Sequence, residues 1–298
     1  MTASSDTTKI ELIRGKKVLL EIVTKRENPI VEAADTTGVV DFSNLHLKPV
    51  GACIYCGSTV GCLSDEHVLA SALSGSTTIP KGSCETCRKI TEGFETAVLR
   101  GPMRMVRYVQ SMRSRTKYKD LPVTIPVKIN VDGHETTIDA PRDEAPILLP
   151  FPILEPGLRL TEIATGSFGA DPKEFGKRHG AQQVELEVTN NDVIAFVRML
   201  TKTAYTAAFA YDQLRRLKNP GDLVRAMMYE PNTLGNFVVT APGPYKQYGG
   251  LLHRLKIEVL PEYKLLYLTV QLFAYAGMPS YIVLLGTLRD NDPLNAAG

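Results

Sequence analysis

The chain has 298 residues, 44% of them hydrophobic and 22% charged, with a formal net charge of +2. This is the composition of an ordinary globular protein, long enough to bury a full core in one large or two modest domains. So small a net charge excludes nucleic-acid binding driven by the whole-protein field and leaves local clustering as the electrostatic argument.

The first residues, MTASSDTTKIELIRGKK, have no apolar run behind a basic start. A secretory leader is not expected, and the expected location is cytoplasmic. KKVLLEIVTK and TGVVDFSNLHLKPV are β-branched apolar runs split by RENP and ADTTG, so residues 1–49 read as a β-rich extension forming a small sheet.

Residues 50–120 hold four of the five cysteines as Cys53-x-x-Cys56 and Cys84-x-x-Cys87. In an unsecreted chain such pairs read as metal ligands before disulfides, and four thiolates in two knuckles match tetrahedral zinc. Cys62 is left over and reads as a small buried hydrophobe. Between the pairs, SDEHVL predicts a short strand carrying Glu66 and His67, with Asp65 as a solvated turn residue. Residues 74–83, rich in Ser, Gly, Thr and Pro, predict a loop. A helix should begin near Cys84, with Ile90, Phe94, Ala97 and Val98 inward and Arg88, Glu92 and Glu95 on the opposite face. Gly101-Pro102 ends it. The next segment carries Arg100, Arg104, Arg107, Arg113, Arg115, Lys117 and Lys119 with no acidic residue before Asp120, while Met105, Val109 and Met112 can face inward.

A boundary falls near residue 120, and residues 121–298 predict an α+β domain. VTIPVKINVDGHETTIDA reads as a hairpin over Asp132-Gly133. PILLPFPILEPGLRL reads as an extended connector or edge strand, and QVELEV as a strand. A long helix capped by Asn190 or Asn191 follows, with Val193, Val197, Leu200, Ala204, Ala207, Tyr211 and Leu214 on one face. At the carboxyl end Leu255, Ile257 and Val259 alternate with Arg254, Lys256 and Glu258, opening an antiparallel meander. Leu265 to Leu288 carries no charge and is long enough to span a bilayer. Its central Gly277-Met278-Pro279-Ser280 predicts two buried strands and a turn instead, so no membrane partner is expected.

The order of two cysteine knuckles, an acidic-His strand and a helix starting at the last pair resembles the HNH (ββα-metal) endonucleases, in the subset tied by a four-cysteine zinc. The resemblance covers about residues 50–100. It implies His67 as the general base that deprotonates water beside a phosphodiester, and Glu66 as a ligand of a catalytic Mg²⁺ or Mn²⁺. The first helical position after the last cysteine is commonly Asn or His in that family, but here it is Arg88, which has no lone pair for a cation. Glu92 or Glu95 can supply a replacement oxygen, with Arg88 turned to the scissile phosphate. The implied activity is phosphodiester hydrolysis, with double-stranded DNA as the expected partner and Arg100, Arg104, Arg107, Arg113 and Arg115 as phosphate contacts. Two other readings stand beside it: a catalytically impaired nucleic-acid-binding or regulatory module, and a zinc-stabilised scaffold. In the scaffold reading residues 121–298 are the working part, and in any of the three they are open to self-association or a regulatory ligand.

Overall fold

A computed structural model of the chain describes residues 17–25, 39–41, 47–110, 112, 122–181 and 183–293. The architecture is mixed α and β, with several mostly antiparallel sheets around one long helix. Strands β1 (Lys17–Lys25) and β2 (Val39–Asp41) lead in; β3 (Leu63–His67) and β4 (Thr78–Cys84) form a hairpin that runs into helix α1 (Glu85–Arg100) and then α2 (Arg104–Val109). Next come β5 (Thr124–Val131), β6 (His134–Pro141), β7 (Pro146–Glu155), β8 (Arg159–Gly169), α3 (Pro172–Arg178), β9 (Gln183–Val184) and the long helix α4 (Asn190–Ala210). Helix α5 (Gly221–Met228) and strands β10 (Val238–Thr240), β11 (Leu251–Leu260), β12 (Leu265–Leu272) and β13 (Ser280–Thr287) complete the chain.

The expected meander is present, and β12 and β13 are the two strands read from the uncharged stretch. Among the described residues no helix is long and apolar enough to cross a membrane. The hairpin over Asp132-Gly133 is also as expected: both residues have positive φ, the conformation that a tight two-residue turn demands.

Several expectations change. The amino-terminal strands do not make a sheet of their own. β1 pairs antiparallel with β11 and β2 parallel with β1, giving a six-stranded sheet in the order β10-β13-β12-β11-β1-β2. The boundary drawn near residue 120 is therefore crossed by strand pairing, and again by α1 packing on α4. The loop expected over 74–83 gives way at Thr78 to β4, because wholly buried Ile79 anchors that stretch opposite Glu66. PILLPFPILE is one arm of a long β7–β8 hairpin, whereas QVELEV shrinks to two paired residues. The inward side of α2 is Val106 and Arg107, with Val109 exposed.

Helix α4 is the hub. Thr189, not an asparagine, caps it: the Thr189 hydroxyl accepts from the Asp192 N–H, and the Asp192 carboxylate accepts from the Thr189 N–H. Fourteen of its residues are buried, on all sides and not on a single face. The predicted face from Val193 to Ala207 lies inside it, but the helix ends at Ala210, before Tyr211 and Leu214.

His253, in β11, ties the large sheet to the cysteine region. Its Nδ1 accepts the Phe273 N–H at 3.2 Å, so the neutral ring carries its proton on Nε2, which donates to the Leu73 carbonyl at 3.0 Å. Burial lowers its pKa to about 3. The unfolded chain takes up that proton near pH 6.5, so below this value it binds more protons than the folded chain. Stability is then lost as the pH falls from about 6.5 towards about 3, by up to about 1.4 kcal/mol per pH unit. We expect His253→Gln to be less stable at neutral pH but to show a flatter loss on acidification in urea-unfolding midpoints. Equal slopes for both proteins would refute the assignment.

Candidate metal centre and the buried lysine site

Cys53 and Cys56 sit in a turn before β3, closed by the Gly57 N–H donating to the Cys53 carbonyl at 2.8 Å. Gly57 has φ +73°, the left-handed backbone that glycine adopts without strain. Cys84 is the N-cap of α1 and Cys87 lies in its first turn, where the helix dipole favours thiolate. The four sulfurs lie within 4.8 Å of one another. Cys56 Sγ and Cys84 Sγ are 3.7 Å apart, close to the edge of about 3.8 Å for a tetrahedron with metal–sulfur bonds of about 2.3 Å. Burial opposes ionisation of Cys53, but the backbone amides of Cys84, Cys56 and Tyr55 outweigh it and lower the thiol to about 7. Burial, followed by the Cys53 charge, pushes Cys87 strongly up. The spacing and the all-thiolate donor set fit a bound metal ion. Cys62 lies outside the cluster and is exposed, not the buried hydrophobe expected.

The strand between the knuckles carries the second feature. A bulge between Ser64 and Glu66 turns Asp65 outward, where it accepts the Lys81 N–H at 3.0 Å. Glu66 points inward and is 6% exposed, while His67 is half-buried at the end of β3. On α1 the buried stripe is Cys87, Thr91, Phe94, Val98 and Leu99, rotated from the expected one. Glu95 falls on that stripe, one turn after Thr91, so it faces the core and not the outer face with Arg88 and Glu92.

Glu66 and Glu95 therefore meet, and a residue that the sequence reading missed lies between them. Lys202 of α4 is fully buried, with its Nζ 2.7 Å from Glu66 Oε1 and 3.0 Å from Glu95 Oε1. The same ammonium donates to the His67 carbonyl. Burial alone would lower the lysine, but the Glu95 and Glu66 charges hold it above the ordinary range. Burial also raises Glu95, against the pull of Lys202. Beside them the Tyr55 phenol is raised by burial and then by Glu66 and Glu95; among the described residues its hydroxyl has no hydrogen-bond partner. The neighbouring turn of α4 adds two more contacts to this region. Tyr205 donates to the Ile54 carbonyl at 2.7 Å and Thr206 to the Val68 carbonyl at 3.0 Å. The signal available in sequence was a lysine as the one charged residue in the run from Met199 to Ala210.

The remaining site residues scatter. Arg88 is on the exposed side of α1, paired with Glu85 at 2.9 Å and with Glu92 at 2.7 Å. Neither Arg88 nor Glu92 joins the Lys202 cluster. Arg107 is buried and structural, its guanidinium donating to the Ala72 and Leu99 carbonyls at 2.8 and 2.9 Å. Arg100 and Arg104 are exposed, and Arg113 and Arg115 lie outside the described residues. No family model matches the chain, and no curated protein or solved structure is found similar to it.

Two outcomes follow. Elemental analysis of the purified chain should find a bound metal ion that Cys87→Ser loses. Lys202→Ala leaves two carboxylates facing each other without a cation and should cost about 3–5 kcal/mol in urea unfolding at neutral pH. Adding Glu66→Gln and Glu95→Gln to that variant should recover much of the loss; no recovery would mean that the lysine acts by packing alone.

Proposed function

We propose that this chain is a nucleic-acid-binding protein built on an HNH-like ββα frame, in which its own Lys202 fills the position of a hydrolytic cation. The frame is the β3–β4 hairpin and α1, stapled by a structural zinc on Cys53, Cys56, Cys84 and Cys87. The closed all-thiolate set supports zinc and excludes activation of water at that ion. The observation that carries the reading is the Lys202 ammonium, fully buried between Glu66 and Glu95. A divalent cation on these carboxylates would have to expel a positive charge whose hydrogen bonds and ion pairs lie within the protein. Helix α4 also covers the face of the frame to which Glu66 points, so a phosphodiester cannot approach that carboxylate in this arrangement. Binding then rests on exposed Arg100 and Arg104 and on the basic run that follows them, which recognise duplex phosphates without reading sequence.

A metal-dependent endonuclease is the second reading, and the convergence of Glu66, Glu95 and the end of the His67 strand favours it. Glu66 and Glu95 would hold Mg²⁺ or Mn²⁺, which polarises a phosphate, and His67 would take a water proton. It requires Lys202 to withdraw.

The test combines plasmid nicking in Mg²⁺ or Mn²⁺ with gel-shift titration of a short DNA duplex. The wild type should bind without nicking, and binding should weaken steeply between about 50 and about 200 mM salt. Arg100→Ala with Arg104→Ala should lower affinity about tenfold and flatten the salt dependence. Nicking by the wild type that His67→Ala abolishes would replace this reading with the endonuclease. Absence of binding at low salt would leave a zinc-stabilised scaffold.

A further inference from the structure

The six-stranded sheet has two unlike faces. One carries Leu255, Ile257 and Val259 of β11 with Leu268, Val270 and Val283, all 2% exposed or less, in the core shared with α4. The other is laid out in rows by the strand register. Arg254, Gln271 and Ser280 form the first row, and Lys256, Thr269, Ile282 and Val239 the second. Glu258, Tyr267 and Leu284 form the third, with Leu260 and Leu265 beyond it. The face thus runs from a polar end to an apolar one. Above it is a cavity of about 580 Å³, within the range of small-molecule sites.

The cavity is walled at both ends of these rows. At the apolar end, Gly157 of the β7–β8 turn donates its N–H to the Gly235 carbonyl at 3.0 Å. A Cβ on Gly235 would stand 2.5 Å from Gly157 backbone atoms, so only glycine permits this closure. At the polar end, Gln271 donates to the carbonyls of Lys246 and Met278 at 3.0 and 2.9 Å, pinning the segment that carries Tyr248. Walls at both ends suit a compact molecule and not an extended chain laid across the sheet.

The charged side chains of the floor are met within the protein. Lys256 Nζ lies 3.6 Å from Glu258, and Glu258 also accepts from the Thr269 hydroxyl. The Arg254 guanidinium lies over Tyr248, 4.1 Å from its ring centroid. A charged ligand would have to break into these contacts or carry its charge over the apolar rows, and either has a desolvation cost. Apolar area is what the lining offers without that cost: Ile282 and Leu284 are left half-buried although β13 is an inner strand, and Val239 and Leu265 flank them. At the polar end, Ser280 adds a neutral hydroxyl on the same face as Ile282 and Leu284.

We infer that this cavity binds a small uncharged amphipathic molecule, its apolar body over Ile282 and Leu284 and a hydroxyl or carbonyl group at Ser280. The inference is independent of the nucleic-acid reading.

The probe is N-phenyl-1-naphthylamine, an uncharged aromatic whose fluorescence rises in apolar surroundings, titrated into the full-length chain. Binding should saturate at one site. 1-Octanol should displace the probe at concentrations where octanoate and octylammonium do not. Ile282→Trp should abolish saturable binding by filling the space; should it fail to fold by circular dichroism, Leu284→Gln, which makes the floor polar, takes its place and should weaken probe binding. Ser280→Ala should leave the probe's affinity unchanged and weaken 1-octanol about fivefold, the net worth of one hydrogen bond. Non-saturating binding, equal displacement by either charged competitor, or wild-type probe affinity in the folded floor variant would overturn the inference. Wild-type 1-octanol affinity in Ser280→Ala would overturn the placing of the polar group.

Discussion

A single buried ammonium ties helix α4 to the β3–β4 hairpin and to α1. Lys202 has no access to water, and an isolated charge in such a place would be driven to its neutral form. Glu66 from the hairpin, Glu95 from the helix behind it and the His67 carbonyl prevent this by supplying its counter-charges and acceptors. The constraint is mutual, because the two carboxylates face one another only across the lysine that pairs with both. Three segments distant in sequence must therefore arrive together. Tyr205 and Thr206, on the same side of α4, add hydrogen bonds to Ile54 and Val68 on either side of the strand.

The cysteine cluster acts at the opposite end of the same unit. It joins the turn before β3 to the first turn of α1, so a metal ion there would fix the entry of the hairpin and the start of the helix. The lysine cluster fixes the end of the strand and the third turn of that helix. One device offers thiolates to a cation from solution; the other surrounds a cation from the chain itself with carboxylates. That difference underlies the reading of the frame as one that binds and does not cut. Across the molecule His253 performs a neutral version of the task, joining Phe273 and Leu73 through one ring without any charge.

The parts legible in sequence were those governed by short-range rules. The Cys-x-x-Cys pairs needed only spacing. The Asp132-Gly133 turn needed only positive φ, and the alternation along β11 needed only a period of two. Errors arose where a residue's partner is far along the chain. Glu95 falls on the outer face when the buried stripe is drawn through Ile90, Phe94, Ala97 and Val98, but the stripe runs through Cys87 and Thr91 instead. Cys87 is inward because of its three sulfur neighbours, and Thr91 follows on the same side. Arg107 read as a phosphate contact, but two carbonyls left free by local turns needed a donor, and its guanidinium fills that need. The β-strand over Thr78–Cys84 was hidden by its loop-like composition, since pairing to β3 and the burial of Ile79 outweigh propensity.

By itself the sequence determined the grouping of four cysteines, the strand that carries Glu66 and His67, the helix that follows, and the alternating strands of the carboxyl end. These depend on contacts within a few residues or on simple periodicity. Only the tertiary structure decided that β1 joins β11, that Glu66 and Glu95 share a site, and that Lys202 lies between them. The physical reason is that a buried charge has its meaning in its partners, and here they are 107 and 136 positions away in the chain (202 − 95 and 202 − 66).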